Sequence, residues 1–246
     1  ILAVIVILIS SWLLGTNRSV DRIAHAGGGY KSWQYTNSLD ALEFNRNHYN
    51  SFEIDLSWTS DGTIVCMHDW KTTAELIFGR RFPYPPSLLE FEQLVAQNPH
   101  VKSCTLQTLA QWLESHPQKR LVTDIKSDNL KGLQLIRDTL KRAPEQVIAQ
   151  IYSPEEYLPV KEMGFQNIIW TLYRYPLDVE EILIHATRME LYAIAMPREL
   201  VELGLAQRLA NVGVLSYAHT INTSRELNHV RQLGIEEIYT DWLPSR

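Results

Sequence analysis

Beyond Arg18 the chain alternates between short runs rich in β-branched and aromatic residues and longer stretches whose apolar positions recur at helical spacing. The strand-like runs are Arg22–Ala26, Phe52–Trp58, Arg120–Ile125, Val147–Tyr152, Asn167–Leu172, Leu191–Met196, Val212–Tyr217 and Glu237–Thr240. Between them, Thr36–Tyr49 sets Leu39, Leu42 and Phe44 among polar positions, and Asn129–Arg142 carries Leu130, Leu133, Ile136 and Leu140. Leu177–Met189, Arg198–Leu209 and Ser224–Leu233 show the same helical spacing. Gly164, Gly213 and Gly234 fall between a helix and the next strand, where a left-handed residue commonly ends a helix. Eight β-runs separated by helices predict a (β/α)8 barrel. The alternative is an open doubly wound sheet, but Gly27-Gly28-Gly29 lacks the G-x-G-x-x-G spacing of its phosphate loop.

Two stretches break the alternation. Residues 70–103 read as an insertion after the second strand and its hairpin, with Phe82-Pro83-Tyr84-Pro85-Pro86 followed by a predicted helix from Ser87 to Ala96. In a barrel such an insertion lies over the C-terminal mouth, so its aromatic and proline content predicts a lid. Ile1–Leu14 is uncharged and has only Ser10 and Ser11 as polar positions. As a helix it would reach roughly 21 Å, short of the bilayer core of about 30 Å. Because the chain does not begin with Met, residues 1–17 read as the back half of a signal anchor, and a buried helix under the barrel is the alternative. Residues 18–246 then form the domain itself, held at a membrane on the extracytoplasmic side.

Composition narrows the class. Among 246 residues, 45% are hydrophobic and 21% charged, which excludes a disordered chain, a collagen-like repeat and a multi-pass membrane protein. A formal net charge of -5 excludes a strongly basic nucleic-acid binder. Cys66 and Cys104 make one bridge at most, or remain as two thiols.

The chemistry concentrates in Phe52-Glu53-Ile54-Asp55-Leu56-Ser57 and the following Val65-Cys66-Met67-His68-Asp69. Glu53 and Asp55 are two apart on a strand and share a face. Two carboxylates side by side in a barrel interior repel and lose hydration, and a divalent cation would relieve both. Asp61-Gly62 is a hairpin turn that returns the chain and brings His68 to the same mouth. His25 is expected to end the first strand, and Asp124 and Lys126 share a face at the end of the third. Carboxylates for a hard metal, imidazoles for proton transfer and an ammonium for an anion make a coherent set. Trp58, Tyr152, Tyr173, Tyr217 and Trp242 are candidates for aromatic walls of the mouth.

These residues resemble a known family. His25-Ala26-Gly27, Asn37-Ser38 with Ala41-Leu42, Glu53-Ile54-Asp55, Thr59-Ser60-Asp61-Gly62, His68-Asp69 and Asp124-Ile125-Lys126 look like the motifs of the glycerophosphodiester phosphodiesterases. Thr220-Ile221-Asn222 and Tyr239-Thr240-Asp241 resemble that family's last two strands, so the likeness runs from Arg22 to Trp242. The resemblance implies a TIM barrel, one Ca²⁺ or Mg²⁺ ion and cleavage of a phosphodiester, here a small molecule or lipid headgroup, while the acidic net charge of -5 argues against nucleic acid as partner. It implies Glu53, Asp55 and Asp124 as metal ligands, His25 and His68 as acid and base, and Lys126 as a phosphate contact. Trp58, Tyr152, His219 and Trp242 are further candidates for substrate contact. Three positions depart from the pattern: Ala26 replaces the family's arginine, Thr36 its glutamate, and His219 its tryptophan. Lys31, Lys126 and Arg174 are the candidates to supply the missing cation. A phospholipase acting on intact or lyso-phospholipid, and a non-catalytic barrel that binds phosphorylated headgroups, are the alternative readings.

Overall fold

A computed structural model describes residues 20–175 and 178–245. Its strands are β1 (Ile23–Ala24), β2 (Ser51–Trp58), β3 (Ile64–Cys66), β4 (Arg120–Ile125), β5 (Val147–Ile151), β6 (Asn167–Thr171), β7 (Ala193–Pro197), β8 (Ser216–His219) and β9 (Glu237–Thr240). All but β3 are parallel to their neighbours, and β1 pairs with both β2 and β9, closing an eight-stranded barrel. β3 is antiparallel to β2 through the hairpin centred on Asp61-Gly62. Helices follow the strands around the outside, as the (β/α)8 pattern requires. The segment Ile1–Leu14 and its anchor reading lie outside the described residues.

Side-chain alternation divides the core into two layers and places the polar positions. Leu121, Val147, Ile168, Trp170 and Ile194 point outward and pack under the helices. Val122, Ile148, Ile169, Tyr217, Tyr239 and Ile23 point inward and fill the barrel floor. Advancing two residues at a time from those inward positions reaches Asp124, Gln150 and Tyr152, then Thr171 and Tyr173, then His219, Asp241 and His25. The polar ring at the mouth therefore continues the apolar floor on the same strand faces. It also corrects one expectation: Tyr217 is a floor residue, not a mouth residue, and its hydroxyl donates to the Asp21 carbonyl at 2.9 Å.

Several boundaries differ from the sequence reading. β1 stops at Ala24, and His25–Gly27 form a tight 3-10 turn in which Ala26 has φ 50°. His25 is thus carried past the strand end rather than on it. The run Val212–Tyr217 is displaced, because Gly213 turns at φ 76° and the strand begins only at Ser216. Arg198–Leu209 is two helices, Arg198–Glu202 and Leu205–Asn211, separated where Gly204 takes φ 79°. The first helix, α1 (Leu39–Asn45), is shorter than its apolar pattern because the Ser38 hydroxyl caps it by accepting from the Ala41 amide.

The insertion contains α2 (Thr72–Phe78) and α3 (Leu88–Gln97). It packs on its own cluster of Val65, Met67, Ile77, Phe91 and Val101, flanked by Trp70 and Phe78. Asp61, at the hairpin tip, accepts from the Leu88 amide at 3.0 Å and so docks the start of α3 onto β2–β3. Cys66 and Cys104 are bonded, with Cα atoms 5.1 Å apart, which resolves the alternative that the sequence left open. The bridge joins the two ends of the insertion immediately before α4 (Leu106–Ser115). Phe82, Pro83, Tyr84 and Pro85 form with Trp58, His68 and Lys126 a groove of about 440 Å³.

Candidate active site

Register brings the carboxylates together. Asp55 on β2 and Asp124 on β4 are paired partners across the parallel ladder, and Glu53 lies one inward position below Asp55. Ligand oxygens of all three lie within 4.8 Å of one another, and all three residues are buried. Glu53 Oε2 accepts from the Ala26 amide at 2.7 Å, whereas its Oε1 is buried without a hydrogen-bond partner. Asp55 is held by Asn37, whose Nδ2 donates to Oδ2 at 2.8 Å while its Oδ1 accepts from the Asp55 amide at 2.8 Å. Asp124 accepts from the Tyr152 hydroxyl at 2.5 Å and from the Tyr173 hydroxyl at 2.8 Å. Lys126 ion-pairs with Asp55 and, at 3.0 Å, with Asp124.

The two histidines meet the same mouth through one aromatic ring. His25 and His68 both stand edge-on to Tyr35, at centroid distances of 4.7 and 5.5 Å. Each imidazole is oriented by an aspartate. His25 Nδ1–H donates to Asp241 at 2.8 Å, and His68 Nδ1–H to Asp69 at 3.0 Å. Asp241 is itself fixed by Asn222 at 2.7 Å and Gln34 at 3.1 Å. Asp69 accepts from the Lys71 and Thr72 amides at the start of α2, so the insertion also aims His68.

Electrostatics separates these groups. Burial, then the neighbouring Asp55, pushes the Glu53 carboxyl up to about 8. Burial works to lower the His25 value, but the Asp241 hydrogen bond and the charges of Glu53, Asp241 and Asp55 raise it to about 9. Burial also opposes ionisation of Asp124, yet Lys126 and the tyrosine hydroxyls hold its carboxyl below the usual range. Lys126 is desolvated, and Asp55 and Asp124 nevertheless keep it firmly protonated. Burial, with His25 nearby, lowers His219 to about 4, so its imidazole is neutral at ordinary pH.

A stability prediction follows. The folded values of Glu53 and His25 both exceed their usual 4.5 and 6.5, so the folded chain binds more protons across the intervening range. Stability contributed by these protons is present at low pH and lost as pH rises through about 8 and about 9. In chelator, Tm should therefore fall between about pH 5 and 9. Glu53→Gln should flatten the lower part of that decline, as followed by thermal denaturation across buffers.

Most sequence candidates reach one place, and some do not. Glu53, Asp55, Asp124, Lys126, His25, His68 and Tyr152 converge at the mouth. Trp58 lines the groove under the insertion, with its indole N–H on the Ser127 carbonyl at 2.8 Å. Trp242 covers the glycine turn instead: a Cβ on Gly29 would come within 2.1 Å of its ring, so only glycine fits there. Lys31 is exposed over the Tyr30 ring, whereas Arg174 reaches the mouth and lies 4.0 Å from Asp124. Sequence reasoning missed Tyr35, and it quoted Asp69 and Asp241 within motifs without giving either a role in the site. Asp241 could have been found, because it lies two residues beyond the inward Tyr239.

Comparison with solved structures agrees with this architecture. A glycerophosphodiester phosphodiesterase from Thermotoga maritima superposes with a TM-score of 0.68 at 17% identity, covering 89% of this chain and 93% of that one. The fold is that of the glycerophosphodiester phosphodiesterases. A phosphodiesterase from Oleispira antarctica, solved with its product sn-glycerol-3-phosphate, gives a TM-score of 0.67 at 15% identity over 89% and 92% of the two chains. A Parabacteroides distasonis glycerophosphodiester phosphodiesterase gives 0.63 at 14% identity over 89% and 92%. No family model matches the sequence, and no curated protein matches it. The resemblance read from the motifs thus reappears in the fold at an identity that marks a divergent chain.

Proposed function

We propose that this chain is a metal-dependent phosphodiesterase that hydrolyses a glycerophosphodiester to an alcohol and a phosphomonoester such as glycerol 3-phosphate. One observation carries the reading: two aspartate-oriented histidines share a barrel mouth with three clustered carboxylates and a lysine. A headgroup-binding barrel would need no such acid–base pair. The product found in the Oleispira antarctica neighbour is of the proposed chemical class.

The carboxylate cluster fits a hard divalent cation, Ca²⁺ or Mg²⁺, on its donor chemistry and on the orphaned Glu53 Oε1. Glu53, Asp55 and Asp124 would hold it. Such an ion supplies electrostatic stabilisation of the charge that develops on the phosphoryl group. His25, kept protonated by Asp241, donates its Nε2 proton to the leaving alkoxide. His68 accepts a proton at Nε2 from the attacking water or substrate hydroxyl, with Asp69 fixing the tautomer. Lys126 presents its ammonium between the carboxylates and the phosphoryl oxygens, and Tyr152 and Tyr173 keep Asp124 ionised by donating to it.

We further propose that the domain works at a membrane on the extracytoplasmic side. The Cys66–Cys104 bond, which belongs to oxidising compartments, and the apolar Ile1–Leu14 run support this reading. The activity is tested by measuring release of phosphomonoester and cyclic phosphate from a panel of glycerophosphodiesters and lysolipids, with and without chelator. Metal-dependent turnover of a glycerophosphodiester is expected. Absence of turnover on every diester overturns the reading, and a preference for lysolipids moves it to a phospholipase.

Asp241→Asn tests the orientation of His25. With the charge gone, burial dominates and the His25 value should fall from about 9, moving the alkaline limb of the rate profile to lower pH. The rate should drop by up to about 10⁴-fold, as when an orienting aspartate is neutralised in the Ser-His-Asp arrangement. A pH–kcat profile of the variant reads both effects.

A further inference from the structure

We infer that Arg174 and His219 together form an oxyanion subsite that holds the non-bridging oxygens of the phosphoryl group on the side of the mouth away from the insertion. The subsite takes its substrate from the phosphodiesterase reading, although its test does not depend on turnover.

The cation comes first. Lys126 is already committed to two carboxylates, Asp55 and Asp124. Arg174 is held differently. Its guanidinium lies 4.1 Å from the centre of the Tyr152 ring and 5.1 Å from that of Tyr173, which fixes its position through stacking. Its ion-pair partner is Asp124, at the outer limit of 4.0 Å. No hydrogen bond to it is found among the described residues, so the donors of its fork remain for an anion. The side chain is about one-third exposed, open to an entering ligand.

The second observation is independent of the first. His219 Nε2 is buried with no hydrogen-bond partner among the described residues. Its ring packs edge-on against Tyr173 at 5.8 Å and Tyr239 at 5.9 Å, but the Tyr173 hydroxyl donates to Asp124 and the Tyr239 hydroxyl to Gln150. A buried polar nitrogen left unpaired is unfavourable, and a ligand oxygen would satisfy it. The imidazole is neutral, and with its proton on Nε2 it donates a hydrogen bond without adding charge. Tyr173 touches both Arg174 and His219, which places the guanidinium and the orphaned nitrogen around one ring, beside Asp124. This arrangement supplies from β6 and β8 the charge-assisted donors that Ala26 cannot supply after β1.

The probes are sn-glycerol 3-phosphate and glycerol, titrated calorimetrically into the full chain with and without added Mg²⁺ or Ca²⁺. Arg174→Gln should weaken sn-glycerol 3-phosphate at least tenfold, with Arg174→Lys recovering only part because it lacks the planar fork. His219→Phe, which keeps the ring packing, should weaken it severalfold. The His219 imidazole nitrogen resonance should move when the phosphomonoester is added and stay fixed with glycerol. Affinity within twofold of wild type in Arg174→Gln overturns the proposal, as does an unmoved His219 resonance or a wild-type chain that binds no phosphomonoester. If the wild type hydrolyses no diester yet binds sn-glycerol 3-phosphate through Arg174 and His219, the hydrolase reading falls and the subsite stands.

Discussion

Replacing His25 or His68 by alanine should lower kcat by about 10²–10⁴-fold, the usual worth of a positioned acid or base. In the proposed mechanism the two residues act on opposite ends of one displacement, so the double variant should be little slower than the poorer single one. Affinity for sn-glycerol 3-phosphate should change far less than kcat, because Lys126 and the carboxylate cluster are untouched. The pH profile distinguishes the two roles. Loss of His25 should remove the alkaline limb set near pH 9 by Asp241 and the carboxylates, and loss of His68 should leave that limb in place. Single-turnover measurement on the best diester decides it: near-normal kcat in both variants would remove the acid–base assignment.

Asp55→Asn should abolish measurable turnover and uncouple the protein from divalent ions. Asp55 is the central member of the cluster, paired in register with Asp124 and bonded twice to Asn37. Electrostatic stabilisation by a bound ion is worth several kcal/mol, which is about 10³-fold or more in rate. The neutral amide also leaves Lys126 paired to Asp124 alone. Wild type should gain thermal stability with added Ca²⁺ or Mg²⁺ by mass action, and Asp55→Asn should not. Elemental analysis of the dialysed proteins, alongside Tm with and without ion, provides the check. An equal gain in both proteins would place the ion elsewhere.

The fold was legible because, apart from the insertion at residues 70–103, strand and helix periods alternate after Arg18, and the barrel needs little else. The carboxylate pair was legible because Glu53 and Asp55 obey a spacing of two on a strand. Other features depended on three-dimensional closure. Asp241 faces His25 only because β9 pairs with β1 across the seam, 216 residues apart in sequence. Tyr35 lies between α1 and the glycine turn at φ 58°, a conformation that no apolar pattern announces. Tyr217 was misplaced because an aromatic residue near a strand end looks like a mouth residue until its level in the barrel is counted. The helix boundaries moved for local reasons, since Gly204 and the Ser38 cap end or begin helices inside longer apolar patterns.

The bridge between Cys66 and Cys104 has a bearing on how this scaffold can change. It fixes the two ends of the insertion at a Cα separation of 5.1 Å, directly beside the barrel. Cys104 reaches the Asn37 carbonyl, and the Asn37 side chain holds Asp55, so the same staple stands next to the residues that shape the carboxylate cluster. Everything between the two sulfurs is then a cassette with its own apolar centre. Its sequence and length can drift or be exchanged while the barrel beneath keeps its register, since a longer loop adds only logarithmically to the entropy of closure. Under the proposed function, selection for a different leaving alcohol can act on Phe82–Pro86 without altering the carboxylate cluster beneath. His68 and Asp69, just inside the first cysteine, and the Lys71 and Thr72 amides that hold Asp69 tie that freedom back to the proposed chemistry.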